Sequence, residues 1–349
     1  MKSISVGISG INAVDNPGPG IGVARSLRED PDLHVKIVGL AYDAMEPGVF
    51  MDWVVDRSYL MPYPSTSAEA YLERLLYIKQ TCGLDCVIPN LDAELPLFIK
   101  WAPLLAEHGI ATFLPTMEQF KLRAKDKLAE VAPPIGLKLP RTKSVNSLEA
   151  MLSAAQEIGY PVMVKGCFYK AYACATPQEA IQHFNHLVAE WGYPIIVQEI
   201  ISGGDEVNAV ALGDGLGHSL GIVGIKKVGI TALGKIWTGV TIKNEQMLAA
   251  AEKFIEEFQW RGPFELECIV RSDDVYLIEI NPRFPAWTYF ATGVGVNLPS
   301  RLVHKAMQMQ SKPFLNAYDA GKLFVRYSYE MVTEMTTFQQ VVTTGETAA

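Results

Sequence analysis

The 349-residue sequence has no run of about 18 apolar residues, the length a membrane-crossing helix needs. It has no basic excess either: 30 Lys and Arg stand against 38 Asp and Glu, a net charge of -8. The electrostatic footprint of a nucleic-acid binder is therefore missing. Cysteine is scarce and odd in number: of the five (Cys82, Cys86, Cys167, Cys174, Cys268), only Cys82 and Cys86 are close in sequence. This excludes a disulfide framework and fits reduced thiols in a cytoplasmic protein. The six histidines are scattered and offer no metal-ligand spacing. The N-terminus, MKSISVGISG, lacks an apolar stretch with a cleavage site and reads as a strand running into glycine, not as a signal peptide. Tandem repeats, low-complexity tracts and charge blocks are absent. What is present is 49% apolar against 19% charged residues, enough for a sizeable core. The length allows two or three domains at roughly 100–200 residues each.

Strand and helix alternate through the first third, which predicts a parallel α/β sheet. Ile4–Ile8, His34–Leu40, Asp85–Pro89 and Ala111–Leu114 read as strands; 20–28, 68–81 and 95–108 read as helices. This defines a first domain over residues 1–115. A lysine-rich segment, Thr116–Pro134, reads as helical until Pro133 and Pro134 stop it. A helix capped by Ser147 and a strand Val162–Lys165 follow, giving a second unit over 116–196. The third, 197–335, reads as strand, Gly-rich turn, strand, long loop, helix and strand pair, with 336–349 as a polar, frayed tail. In the helix after Asn244, Leu248, Ala251, Ile255 and Phe258 form a core-facing stripe.

The chemistry concentrates in GPFELECIVRSDDVYLIEINPR, Gly262–Arg283. Two runs of β-formers flank Ser272-Asp273-Asp274 and predict a hairpin. With those three residues as the loop, Glu267 falls opposite Glu279; a two-residue loop breaks that pairing. Opposed side chains have Cβ atoms about 4.5–5.5 Å apart, so two carboxylates there repel unless one is protonated or a cation lies between them. Asn281 shares the face of Glu279. Two carboxylates and an amide oxygen make a hard oxygen site that suits Mg²⁺ completed by phosphate oxygens, and Arg283 adds a fork for an anion. Glu265 reads as a surface carboxylate of the hairpin.

The string LIEINPRF, with the preceding G-x-x-x-x-E, resembles the metal-binding signature of the ATP-grasp superfamily, of the carbamoyl-phosphate synthetase large-subunit and biotin carboxylase type. The resemblance implies an N-terminal parallel βαβ (pre-ATP-grasp) domain followed by a two-lobed α+β ATP-grasp module. It implies ATP and Mg²⁺ (or Mn²⁺) as cofactors, with Glu267, Glu279 and Asn281 as metal ligands and Arg283 as the anion contact. KDKLAE at Lys125–Glu130 resembles the first ATP-lysine motif and gives that role to Lys127. YPVMVKG at Tyr160–Gly166 resembles the second and gives it to Lys165. IIVQEIISGGDE resembles the adenosine hinge: Glu199 and the backbone of Ile200 and Ile201 for adenine, Glu206 for the ribose hydroxyls. Lys226, Lys227 and Lys235 fall in the segment that lines the acceptor site of such enzymes, and which of them reaches phosphate stays open.

The activity implied is an ADP-forming ligase that activates a carboxylate as an acyl phosphate for attack by an amine or thiol. Its partners are small-molecule substrates or a peptide acceptor, without nucleic acid or membrane; a homodimer is compatible. A non-catalytic ATP sensor or scaffold is the alternative. It draws on one departure from the pattern: after Lys165 the sequence GCFYKAYACATPQEA has a single glycine where a Gly-rich phosphate loop is usual, leaving Lys170 as a substitute charge. A nicotinamide enzyme is disfavoured, because NPGPGIGVARS does not satisfy G-x-G-x-x-G and lies ten residues past the first strand.

Overall fold

The structure, a computed structural model, describes residues 3–14, 16–166, 170–232, 234–310 and 316–347. Alternating short apolar runs and amphipathic segments build three sheets. The first is fully parallel, with β1 (Ile4–Ser9), β2 (Val35–Ala41), β3 (Arg57–Leu60) and β4 (Cys86–Ile88) in the order β3-β2-β1-β4. Both faces of its strands are covered by helices Gly20–Arg28, Ala68–Cys82 and Leu95–Glu107, as parallel sheets require. The tight entry into the first helix explains the glycines there: a Cβ on Gly20 would lie 2.4 Å from the Ser9 carbonyl oxygen. Residues 111–114 contribute only a bridge, Ala111 to Cys86, not the strand their apolar run suggests.

The second sheet is antiparallel. It holds β5 (Thr142–Val145), β6 (Val162–Lys165), β7 (Ala171–Cys174) and β8 (Ile195–Glu199) in the order β5-β8-β6-β7. Helices Leu148–Ile158 and Pro177–Trp191 pack on one face and share a separate core around Met151, Phe184 and Val197. Ser147 caps the first of them, accepting from the Ala150 N–H at 3.1 Å.

The third sheet contains β9 (Asp205–Asp214), β10 (Ser219–Ile230), β11 (Ile236–Ile242), β12 (Arg261–Arg271), β13 (Asp274–Asn281) and β14 (Leu323–Val325), ordered β13-β12-β9-β10-β11-β14. Helix Glu245–Glu257 buries Met247, Ala251, Phe254 and Ile255 against it. One hydrophobic core runs from Val6 and Ile8 of the first sheet to Val210, Phe284 and Leu302, so the N-terminal domain and the large lobe share an interior.

Three readings of the sequence need correction. The lysine-rich segment is two short helices, Met117–Lys121 and Leu128–Val131. Its apolar residues Leu128, Val131 and Ile135 pack into the core of the large lobe, not the small one. The long loop before helix Glu245–Glu257 is instead two paired strands, β10 and β11, whose alternation is disguised by Gly224, Gly229 and Gly239. The C-terminus is docked rather than frayed. Helix Met335–Thr344 is followed by Glu346, which pairs with Arg57 at 2.8 Å, and by a bridge to Tyr59 that covers the open edge of β3.

Candidate functional site

Glu267 does lie opposite Glu279, but by a different route from the one the sequence suggests. The hairpin turn has two residues, Ser272 and Asp273, with Arg271 paired to Asp274 and Ser272 at a left-handed φ of 54°. An extra residue, Ile278, is then accommodated between the Cys268–Leu277 and Glu267–Glu279 pairs. This β-bulge cancels the shift of the shorter turn and brings the carboxylates back into opposition. Glu265 lies opposite Asn281, and Asn208 of β9 lies on the other side of Glu267. The strand period of two puts Glu206, Asn208, Glu265, Glu267, Glu279 and Asn281 on one face.

Lysines approach this face from three sides. Lys227 of β10 contacts Glu267 at 3.0 Å and Glu206 at 3.1 Å; burial lowers its pKa, but these two carboxylates outweigh burial and raise it. Lys226, one residue earlier, points to the opposite face and pairs with Asp205 at 2.7 Å, so strand alternation separates the two lysines. Lys165 closes β6 and donates to Gln198 Oε1 at 2.6 Å. Burial, then the nearby charge of Lys125, lowers its pKa to about 8, against the pull of Glu279 and Glu267. Lys125 donates to the Gly166 carbonyl at 3.1 Å. Lys127, to which the sequence motif gave the first ATP-lysine role, is instead 44% exposed and pairs with Glu130 at 2.7 Å. The geometry brings Lys125, not Lys127, to the cluster.

Arg283 donates to Asn281 Oδ1 and to Asp92 Oδ2, each at 3.3 Å, and Arg123 holds the other Asp92 oxygen at 2.9 Å. Burial lowers the Arg283 pKa, but Asp92, Glu265 and Glu267 outweigh it and keep the guanidinium charged. Lys235 reaches back to the Pro17 carbonyl at 2.9 Å, so the Gly/Pro-rich loop of the first domain borders the same region. Its pKa is lowered to about 8, first by burial and then by Arg283 and Arg326. At the hinge, the Glu199 carboxylate accepts from the Arg141 backbone N–H at 3.1 Å and from its Nε at 3.2 Å. Ile200 accepts from the Ser202 N–H at 3.0 Å and Ile201 is buried. Glu206 is half exposed, one lysine away from Glu267.

Glu265 is no surface carboxylate. It is 4% exposed and accepts from Asn208 Nδ2 (2.6 Å), Trp287 Nε1 (2.7 Å) and Asn281 Nδ2 (3.1 Å). Burial and then the adjacent Glu267 push its pKa up to about 7. Trp287 is therefore a core residue with its indole N–H satisfied. Sequence reasoning also passes over Lys125, Gln198, Asn208 and Asp92. Lys125 shares the KDKLAE motif with Lys127, and Asn208 carries a signal in its alternation with Glu206; Asp92 sits in a turn of the first domain, far from Glu267 in sequence, and nothing local marks it.

The donor set fits a small hard cation. The Glu279 carboxylate accepts no hydrogen bond and makes no ion pair among the described residues. Burial and the facing Glu267 raise its pKa, against the pull of Lys125 and Lys165. Asn281 gives one Nδ2 hydrogen to Glu265 and the other to Glu267 (2.9 Å), which leaves Oδ1 directed toward Arg283. Among the described residues no three side chains of His, Cys, Asp and Glu converge as a metal group. Two carboxylates plus substrate oxygens are the set Mg²⁺ prefers over an all-protein cage. Residues 167–169, the centre of the glycine-poor loop, lie outside the described residues, while Lys170 pairs with Glu190 at 2.8 Å.

An N-terminal parallel domain, an antiparallel small lobe and a large lobe that presents paired carboxylates beneath buried lysines define an ATP-grasp architecture. Residues 124–286 match the family model for the ATP-grasp domain. Among curated proteins it is similar to the carbamoyl phosphate synthase large chain of Thermotoga maritima, 25% identical over 278 residues, 74% of this chain and 24% of that protein. The corresponding protein of Hyperthermus butylicus is 24% identical over 234 residues, 63% of this chain and 22% of that one. The chain thus spans about a quarter of the length of these relatives. Solved structures agree on the fold. The biotin carboxylase domain of Hydrogenobacter thermophilus 2-oxoglutarate carboxylase, solved with MgADP and bicarbonate, superposes with a TM-score of 0.65 at 19% identity, covering 89% of this chain and 70% of that one. N5-carboxyaminoimidazole ribonucleotide synthetase of Thermus thermophilus gives 0.65 at 14% identity, covering 88% and 79%. No described helix is long and apolar enough to cross a membrane.

Proposed function

We propose that this chain is an ATP- and Mg²⁺-dependent, ADP-forming ligase that activates a carboxylate as an acyl phosphate and passes it to an amine or thiol. The observation that carries this reading is the opposed pair Glu267 and Glu279, with Asn281 oriented beside them and Lys125, Lys165 and Arg283 around them. Opposed buried carboxylates destabilise a strand pair unless something cationic joins them. Glu267, Glu279 and the Asn281 side-chain oxygen would hold Mg²⁺. When bound, the ion would supply charge neutralisation to the transferring phosphoryl group.

The chain's own residues supply the rest by position and charge. Lys125 and Lys165 meet the phosphates from the small lobe. Lys227 is held between Glu206 and Glu267, within one side chain of both the ribose contact and the metal contact. Arg283 is braced by Asp92 with its guanidinium toward Asn281, where it can take the acid substrate or the developing acyl phosphate. In the first step a substrate carboxylate oxygen attacks the γ-phosphorus and ADP leaves. In the second the amine or thiol attacks the carbonyl carbon, inorganic phosphate leaves and the nucleophile sheds its proton. The relatives support this class of chemistry without fixing the acid or the nucleophile.

The test is a thermal-shift titration with ATP and Mg²⁺, beside Glu279→Ala, followed by a screen of acids and amines for ADP release. A Mg²⁺-dependent rise that Glu279→Ala removes, with ADP release dependent on an acid, supports the ligase. Binding without ADP release across the screen would favour a sensor or scaffold, and no rise at millimolar Mg²⁺ overturns the reading.

A further inference from the structure

Beside the proposed cation ligands lies a buried carboxylate with no role of its own in the proposed reaction. Glu265 lies on the same face as Glu267, Glu279 and Asn281, yet its own oxygens are taken. One accepts from both Asn208 Nδ2 and Trp287 Nε1, and the other accepts from Asn281 Nδ2. Three donors converge on it at 4% exposure, so of about four lone-pair directions only one, on the oxygen that faces Asn281, is left. What it does control is the side-chain amide of Asn281. An amide can be turned by 180° at little cost unless its partners distinguish oxygen from nitrogen. Here Glu265 and Glu267 both accept, so both hydrogens of Asn281 Nδ2 are claimed and its oxygen faces the other way, toward Arg283.

We infer that Glu265 is a positioning residue for the cation site: it holds the Asn281 NH₂ group on the Glu265 and Glu267 carboxylates, so that the amide oxygen, which faces Arg283, is the atom left for the cation. The inference rests on the proposed Mg²⁺·ATP reading. Glu265 acts through Asn281 and does not touch the ion. Its contacts to Asn208 and Trp287 fix its own rotamer, so the orientation is passed from β9 and the segment after β13 into the ligand set. Partners behind a metal ligand commonly carry a 10–100-fold share of metal affinity.

The geometry predicts a change of sign that a merely structural role would not produce. In Glu265→Gln, the oxygen that accepts from both Asn208 and Trp287 is best kept as oxygen. The new NH₂ then faces Asn281 Nδ2, donor against donor. Turning Asn281 over relieves that clash only by setting its oxygen against Glu267 and its NH₂ against Arg283, so neither orientation of the amide is fully satisfied and its oxygen is no longer held for the cation. The Mg²⁺ concentration that half-saturates the ATP-induced rise in Tm should increase by about tenfold or more. Asn281→Asp alone places a third carboxylate against Glu265 and Glu267 and should also weaken the site. In the Asn281→Asp background, however, Glu265→Gln removes that repulsion and donates to Asp, so the same substitution should now lower the Mg²⁺ requirement.

A Glu265→Gln effect that is absent, or that keeps one direction in both backgrounds, overturns the assignment. Should Glu265→Gln alone fail to fold, the double variant, in which every donor again meets an acceptor, is expected to fold and respond to Mg²⁺; its failure to do so also overturns the assignment. A wild-type protein that shows no Mg²⁺-dependent rise overturns the proposed function itself, and this inference with it.

Discussion

Two buried carboxylate sites in this molecule are built on opposite principles. In the N-terminal domain Glu94 is fully buried at the carboxyl ends of β1 and β4. It accepts from the Ser9 hydroxyl, from Tyr42 Oη (2.5 Å) and Tyr71 Oη (3.2 Å), and from the backbone N–H groups of Asn90 (2.8 Å) and Leu91 (3.0 Å). Every lone pair has a donor. In the large lobe Glu279 has no such donor and sits against another carboxylate, with lysines beyond it. Neutral donors that saturate a carboxylate leave nothing for a ligand and lock the surrounding turn. A carboxylate left short of donors among cations is a place for an ion. The first site serves the second. The turn that Glu94 closes carries Asp92, which braces Arg283 and Arg123.

The sharpest way to break this comparison is to truncate both carboxylates and measure folding without ligand. Glu94→Ala leaves the Leu91 N–H, the Ser9 hydroxyl and at least one of the two tyrosine hydroxyls without an acceptor, since Tyr42 and Tyr71 keep only each other and Asn90 N–H keeps Ser9, and should cost about 3–5 kcal/mol in urea unfolding. A cost below about 1 kcal/mol would show that Glu94 is not the fastener its contacts describe. Glu279→Ala relieves a repulsion, so the ligand-free protein should be unchanged or stabilised by up to about 1 kcal/mol. It should lose the stabilisation by Mg²⁺ and ATP, about 2.7 kcal/mol at a hundredfold excess over Kd. Ligand-free destabilisation by Glu279→Ala would place it with Glu94 as a structural group.

A smaller effect sharpens the small-lobe side. Lys125→Ala should weaken ATP binding about tenfold in the same titration, because Lys125 lies against Gly166 and beside Lys165. Lys127→Ala, which removes a solvent-facing pair with Glu130, should leave it within about twofold. The reverse order would restore the assignment read from the motif.

How much of this is legible in the sequence depends on the range of the forces involved. Strands β1, β2 and β4 and the three helices of the first domain are readable because their patterns are local, whereas β3 and the helix Met335–Thr344 are not. The opposition of Glu267 and Glu279 is readable, but not its cause. The sequence suggests a three-residue turn, whereas the molecule uses a two-residue turn and a bulge at Ile278, a choice made by packing of β12 against β9. Lys125 and Lys127 are indistinguishable in KDKLAE, and only the fold decides which one meets the small lobe. Glu265 reads as a surface residue because its three donors come from β9, β13 and Trp287, none of them its neighbours in sequence. Lys226 and Lys227 stay together in the sequence because the strand that sends them to opposite faces is hidden by its glycines. The docked tail depends on a pairing of Glu346 with Arg57 across 289 residues, which no local pattern announces.

The smallest expected effect tests whether the lysines belong to the ligand rather than to the fold. In the free protein Lys165 is lowered to about 8 by burial first and Lys125 second. The unfolded chain keeps its lysine proton to about 10.4. Between pH 8 and that value the unfolded state binds more protons, so this group makes ligand-free stability rise with pH in that window. ATP binding should respond in the opposite direction. Phosphates beside Lys165 raise its pKa, so above pH 8 the complex keeps a proton that the free protein has lost, and binding must take one up. Apparent affinity should fall by about threefold between pH 7.5 and 8.5, the ratio of protonated fractions for a pKa near 8. Lys165→Arg, charged throughout, should flatten that slope in titrations at fixed Mg²⁺. A slope that survives the substitution would move the titrating group elsewhere, to Lys235, which burial followed by Arg283 and Arg326 also lowers to about 8. That outcome would tie the pH response to the acceptor side of the site instead of the phosphate side.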